Sequence, residues 1–346
     1  MMKIKNIFRI IAIISIIISC KKSKKEAIVN GIQKLQVSEN GHYFQTEDGK
    51  PFFWLGDRFK DRKNIIWLNG GDTPGEENTE IWNAIGSILK SKNPNALVTF
   101  HPFGRTDSSD NYHDASWLDF NMFQSGHRRY DQETEGKMYA QDNYKYVNVD
   151  FNLKPTKPTI DGEPSYEGIP QGLHDTLQPL WKDKDLRRYA YWSVFAGGAG
   201  FTYGHSAVMQ MFREGDNPAY GNKKTWTEAL DDPGAKQMKY VKELMLKFHY
   251  FNRVPDANLI ANKGEKYNYL AATRGEDYAL IYTYNGRNIS VKMGEIKGDK
   301  VEASWYNPKN GATTKIGTFK NEGIQDFKPE GEVEDGNDWV LILTSK

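Results

Sequence analysis

Two acidic residues stand where strand-like runs end. Asn64-Ile-Ile-Trp-Leu-Asn-Gly-Gly-Asp72 closes on Asp72, and Lys157-Pro-Thr-Ile-Asp-Gly-Glu163 closes on Glu163, followed at once by Pro164. Two carboxyls delivered at the C-terminal ends of two strands suit cleavage of a glycosidic bond. One acid protonates the leaving oxygen, while the other, ionised, attacks the anomeric carbon or activates water. Asp72 is read as the acid/base and Glu163 as the nucleophile. A pair of ordinary strand-end turn acids is the alternative. His101, Gln124 and His127 follow two further strand-like runs, Ala96–Phe100 and Phe120–Phe123. They are read as hydrogen-bond partners of sugar hydroxyls or of the carboxylates, with structural loop residues as the alternative. Asn69 belongs to the same set, because Gly70 and Gly71 let a backbone loop approach a sugar closely. Tyr166 either holds Glu163, stacks on a sugar or packs in the core. His205, at the end of a Gly-rich strand-like stretch, is a weaker candidate. Asp57 joins the site only if Trp54–Asp57 is the end of a strand.

The elements that must position these residues alternate. A hairpin over 41–49, with an Asp-Gly turn, precedes the short apolar run at 51–57. Strand-like runs follow near 65–68, 96–100, 120–123, 157–160 and 199–203. Helical patterns lie at Asn78–Lys92, within 130–150, at Asp183–Ala196 and near Pro233–His249. In the first helix Ile81, Trp82, Ile85, Ile88 and Leu89 are expected on one face. Strands alternating with helices imply a parallel α/β arrangement, with its polar clusters at the strand C-termini. Trp67 and Phe100 are expected in its core. From about Asn258 the texture changes to short strands with Gly and Asn turns, including Tyr278–Tyr284 and Trp339–Leu343, which indicates a β-sandwich.

Composition narrows the function classes. Lys+Arg 46 against Asp+Glu 45 leaves a formal net charge of +1, so there is no electrostatic case for nucleic acid. Tyr 19, Trp 9 and Phe 17 supply rings on which sugars can stack. No H-E-x-x-H metal motif and no phosphate loop occurs, and no cofactor is expected. The start of the chain reads as an export signal. Lys3, Lys5 and Arg9 precede an apolar run from Ile10 to Ser19, which is shorter than the roughly 20 residues needed to span a bilayer. Cys20 is the only cysteine, so no internal disulfide or thiolate metal site is available. Its place after Ile18-Ser19 resembles a bacterial lipoprotein signal, and by that resemblance it is the lipidated residue. A plain cleaved signal or an uncleaved anchor is the alternative. Residues 21–32, with Lys21-Lys-Ser-Lys-Lys25, read as a tether.

The motifs Asn64–Asp72, His101-Pro102, Phe123-Gln-Ser-Gly-His127 and Asp161-Gly-Glu-Pro-Ser-Tyr166 together resemble the apiosidase-like catalytic domain of glycoside hydrolase family 140 and its relatives. Trp305-Tyr-Asn-Pro308 and Asp338-Trp-Val-Leu341 resemble the domain, named for collagen binding in a collagenase, that follows this barrel. The resemblance covers residues 33–346. It implies a (β/α)8 TIM barrel over 33–254, a β-sandwich over 255–346, cleavage of apiose-containing pectic side chains and no metal cofactor. It matches Asp72 to the family's acid/base and Glu163 to its catalytic glutamate. The expected partners are an oligo- or polysaccharide and, through a lipid anchor, a membrane. The expected location is the outer membrane, facing the periplasm or the cell surface. One departure stands out. Trp54-Leu-Gly-Asp57 runs directly into Arg58–Asn64. Relatives carry further units there, and only about six of the eight strands of such a barrel can be counted. The barrel is therefore expected to be incomplete, through an internal deletion near 57/58 or an error in the gene model. A non-catalytic remnant or a carbohydrate-binding surface lipoprotein is the competing reading.

Overall fold

The computed structural model describes residues 34–52, 54–55, 65–133 and 139–346. Cys20, the export signal and Asp57 lie outside the described residues, as does the junction at 57/58.

A small antiparallel sheet comes first, with strands β1 (Leu35–Val37), β2 (Phe44–Thr46) and β3 (Pro51–Phe52). Its β2–β3 hairpin turns at Asp48-Gly49, where Gly49 supplies a left-handed φ of 80° and Thr46 N–H donates to the Lys50 carbonyl at 2.9 Å. Six short parallel strands follow: β4 (Trp54–Leu55), β5 (Ile66–Thr73), β6 (Leu97–Pro102), β7 (Asn121–Phe123), β8 (Thr159–Asp161) and β9 (Gly200–Phe201). They pair in the order β4-β9-β8-β7, with β5-β6 as a second group. The two groups meet at the lower ends of β6 and β7. There Asp119 N–H donates to the Val98 carbonyl at 2.9 Å, and the Thr99 hydroxyl donates to the Phe120 carbonyl at 2.7 Å. Higher up, residues 105–108 wedge in antiparallel to β7, with Arg105 N–H donating to the Gln124 carbonyl at 2.7 Å. Among the described residues β4 pairs only with β9, and β5 only with β6.

Helix α1 (Thr79–Lys92) connects β5 to β6, with Glu80 in its first turn and Lys90 and Lys92 in its last, as the helix dipole favours. Its apolar residues do not share one buried face. Trp82, Gly86 and Leu89 pack against Phe100, Tyr112 and Trp117, and a Cβ on Gly86 would lie 2.2 Å from the Trp117 ring. Ile81, Ile85 and Ile88 sit on the other side, 55%, 37% and 58% exposed, next to the unpaired flank of β5, where Leu68 is 50% exposed. The apolar period is present, but among the described residues only one of the helix's two apolar stripes finds a partner. Trp67 and Phe100 do pack together in this cluster. Helices α2 (Ser109–Tyr112) and α3 (Asn143–Asn152) follow, then α4 (Asp183–Phe195), α5 (Ser206–Met209), α6 (Trp226–Ala229) and α7 (Pro233–Leu246).

The C-terminal part is an antiparallel sheet of six strands, in the order β10 (Val254–Pro255), β11 (Leu270–Arg274), β12 (Tyr278–Thr283), β17 (Trp339–Ser345), β14 (Lys300–Tyr306) and β15 (Thr313–Lys320). A two-stranded ribbon, β13 (Ile289–Lys292) with β16 (Ile324–Phe327), covers one face. The strand period of two then explains why β12 is buried throughout. Ala279 and Ile281 face the ribbon core of Ile289, Val291 and Phe327, while Leu280 and Tyr282 join the core of the preceding part. The ribbon alone is the second sheet of the expected sandwich, and α4 covers the other face. Tyr191 of α4 stacks on Tyr282 at 4.7 Å. Arg187 grips Asp338 with Nε and Nη2, each 2.8 Å from a carboxylate oxygen, and both side chains are almost fully buried. Arg188 is enclosed by the rings of Tyr189, Trp192, Tyr267 and Tyr284 at 4.3–5.5 Å.

Candidate active site

The C-terminal ends of four adjacent strands converge. Near its end β5 carries Asn-Gly-Gly-Asp, and that sequence breaks its register with β6 between Gly70 and Thr73. Gly70 has φ 77°, and a Cβ there would lie 2.6 Å from the Phe100 ring, so only glycine fits. The break lifts Asp72 out of the ladder in a left-handed conformation, φ 55°, with its side chain exposed. Asp72 N–H donates to His101 Nδ1 at 3.3 Å. That bond uses the Nδ1 lone pair, so the ring proton sits on Nε2, which lies 3.2 Å from Glu163 Oε2 and donates to it. His127, beyond β7, places Nε2 3.1 Å from Glu163 Oε1. Both carboxylate oxygens of Glu163 are therefore bound by imidazole. Burial alone would push this carboxyl up, but the hydrogen bonds from His101 and His127 outweigh it and hold Glu163 well below the usual carboxylate range. One carboxyl is thus fixed in its ionised form, and a second stands solvent-exposed in the same cleft.

A buried polar layer fixes this arrangement. Asp161, at the end of β8, accepts from the Ser125 hydroxyl at 2.7 Å and from Asn143 Nδ2 at 3.0 Å. Burial pushes its carboxyl up to about 7. A Cβ on Gly162 would lie 2.4 Å from the Met122 sulfur, so a larger residue there would have to displace that side chain. Gly126 N–H donates to the Glu163 carbonyl at 3.1 Å, and the Ser165 hydroxyl donates to the Gly126 carbonyl at 2.8 Å. The turns after β7 and β8 are in this way tied to each other. The Trp181 indole and Gly172 N–H both donate to the His127 carbonyl, at 3.1 and 2.7 Å. Tyr166 lays its ring edge-on to His127 at 4.8 Å, and its phenol is pushed up by burial and by the Glu163 carboxylate beside it.

The cleft has a volume of about 540 Å³, and Asp72, Gln124, His127, Glu163 and Tyr166 all line it, as expected from the sequence. Gln124 is 4% exposed, and its Oε1 meets no donor among the described residues. His101 stands just behind the lining, bridging the Asp72 backbone and the Glu163 side chain. Two expectations need correction. Asn69 is 3% exposed, and its Nδ2 donates to the Trp82 carbonyl at 2.8 Å, so it anchors α1 instead of facing the cleft. His205 is also turned away from the cleft. Its Nδ1 accepts from Ala207 N–H at 3.0 Å, capping α5, and its Nε2 lies 2.9 Å from Asp232. Among the described residues no cluster of His, Cys, Asp and Glu is arranged to hold a metal ion. The sequence reading missed Arg105, Arg128, Leu173, His174, Met209 and Tyr220, all of which line the cleft. Only Arg128 carried a signal, its adjacency to His127.

A parallel α/β sheet with paired carboxyls at its C-terminal edge defines the class: a glycoside-hydrolase-like fold bearing a glycosidase-type site. The solved structures agree. A protein named "Glycoside hydrolase" is 37% identical, with 91% of this chain and 97% of that chain covered and a TM-score of 0.85. A glycoside hydrolase family 5 protein from Bacteroides vulgatus is 35% identical, with 90% and 93% covered and a TM-score of 0.85. The chain belongs to the family "Apiosidase-like, catalytic domain", whose model matches residues 55–252. Residues 254–344 match the model described as "Putative collagen-binding domain of a collagenase". No curated protein matches this chain. Family and neighbours together make the chain a glycosidase.

Proposed function

We propose that this chain cleaves glycosidic bonds with Glu163 as the attacking carboxylate and Asp72 as the proton donor. The observation that carries this is the pair of histidines on Glu163, which keep it ionised for attack, with Asp72 lining the same cleft. In the first step Asp72 gives its proton to the leaving oxygen as Glu163 bonds to the anomeric carbon. In the second, Asp72 takes a proton from water, whose oxygen displaces Glu163, so the anomeric configuration is retained. Gln124 and Tyr166 bind the sugar hydroxyls. The family resemblance supports apiose-containing pectic polysaccharide as the substrate, and the N-terminal sequence supports export and lipid anchoring at Cys20. Among the described residues β4 and β5 each have a single partner strand, which supports the reading of a barrel that lacks units between them.

Glu163→Gln tests the chemistry. Turnover of pectic oligosaccharides is expected to fall by at least about a thousandfold while sugar binding persists. NMR of the first-formed product is expected to show retained anomeric configuration. Wild-type turnover by the Gln variant would remove Glu163 from the mechanism, and inverted product would remove the covalent step. A second reading, a sugar-binding protein without turnover, draws on the exposed flank of β5 and α1. It predicts binding with no hydrolysis by the unaltered chain.

A further inference from the structure

Eight non-glycine residues among those described have a left-handed backbone, and four of them line the cleft: Asp72, Arg105, Leu173 and Tyr220. For an L-residue this conformation is strained, and for a bulky side chain it is an outlier that the surroundings must enforce. The two bulky cases, Leu173 with φ 78° and Tyr220 with φ 53°, flank one wall. Where a loop needs only to turn, glycine does so without strain, as Gly172 and Gly221 do beside them with φ 95° and 64°. A leucine and a tyrosine at these positions place something in the cleft that glycine cannot.

Tyr220 is held there on purpose-built contacts. The Gln210 side chain clamps the residue before it, accepting from Ala219 N–H at 2.8 Å and donating to the Ala219 carbonyl at 3.3 Å. The ring is half-buried and sits 6.0 Å from the exposed His174 ring at 44°. Leu173 and His174 are fixed from behind. Leu173 N–H donates to the Pro170 carbonyl at 2.9 Å, and His174 N–H to the Gly172 carbonyl at 3.0 Å. The wall belongs to the loops after β8 and β9, whereas Asp72 stands at the end of β5. The face of a sugar ring presents polarised C–H bonds, which the negative face of an aromatic ring attracts. Two rings and one aliphatic side chain on a shared wall suit such a face better than a charged group.

We infer that Tyr220, His174 and Leu173 form an accessory subsite that binds a second sugar ring of an oligosaccharide, next to the one cleaved. The inference rests on the glycosidase reading above. Its test is calorimetric binding of pectin-derived oligosaccharides to the full chain carrying Glu163→Gln, alone and with Tyr220→Gly or Tyr220→Phe. Tyr220→Gly is expected to bind about tenfold more weakly, and Tyr220→Phe, which keeps the ring, to bind as the parent does. Because glycine relieves the backbone strain, Tyr220→Gly is also expected to melt no lower than its parent. Unchanged affinity in Tyr220→Gly overturns the subsite. A lower melting temperature without an affinity change assigns the ring to packing and overturns it too. Weaker binding in Tyr220→Gly, with no turnover by the unaltered chain, upholds the subsite while the catalytic reading fails. No oligosaccharide binding by the Glu163→Gln parent overturns the subsite, and turnover by the unaltered chain then decides the catalytic reading separately.

Discussion

Asp338→Asn is the sharpest test of how the two parts of the chain hold together. Asp338 meets Arg187 through two 2.8 Å bonds, and neither side chain is more than 1% exposed. Burial would push the Arg187 guanidinium down, but Asp338 more than reverses this and keeps it charged. Removing one partner of such a buried pair costs roughly 3–5 kcal/mol, mostly from the charge left behind. Two features place this case at the lower end. Arg187 Nη1 keeps Asp183 at 2.6 Å and Gln237 at 2.5 Å, and the asparagine oxygen can still accept one of the two lost bonds. The expected loss is therefore about 3 kcal/mol. In urea, with a slope of about 3 kcal/mol per molar, the midpoint falls by about 1 M. The assay is urea unfolding followed by tryptophan fluorescence and by far-UV circular dichroism. Arg187→Met with Asp338→Leu removes both charges together and is expected to recover most of the loss, since a buried pair adds little over well-packed apolar groups. A loss below about 0.5 kcal/mol in Asp338→Asn would refute the reasoning, as would a double variant whose loss equals the sum of the single ones.

Two further outcomes follow from the site. His127→Ala removes one of the two donors that hold Glu163 down, so Glu163 titrates higher. Turnover is expected to drop by about ten- to a hundredfold, and the acid limb of kcat/KM to move to higher pH; an unmoved limb would show that His101 alone sets the Glu163 charge. Asp161 titrates at about 7 in the fold, against an ordinary 3.8. The folded state thus binds this proton more tightly than the unfolded state does. Its contribution is most favourable below the unfolded value and is lost as pH rises towards 7. Melting curves of the unaltered chain and Asp161→Asn are expected to converge or cross over that window, and a constant difference from pH 4 to pH 7 would count against the shift.

The strand-end positions were legible because a parallel strand has an early sequence signature and a fixed exit. Asp72, His101, Gln124, His127 and Glu163 each follow an apolar run by a few residues. Asn69 misled because the register breaks just after it, at Gly70, so its side chain turns under α1 while Asp72 turns out. His205 misled because its partner Asp232 lies 27 residues away, on a loop with no periodic pattern. The same reason hid Leu173, His174 and Tyr220. Helix α1 showed an apolar period, but a period cannot say which of two stripes has a neighbour. The double burial of β12 was also invisible, since its second face depends on α4 from a different part of the chain.

Asp72, His101, His127 and Glu163 leave β5, β6, β7 and β8, four strands that are neighbours in space and consecutive in the chain. The whole set is carried between residues 66 and 163. In the sequence it forms one contiguous cassette. A crossover or loss of coding sequence upstream of Ile66 severs none of the hydrogen bonds among these four side chains. Relatives that exchange their upstream units would alter the walls around the substrate and inherit the chemistry in one piece.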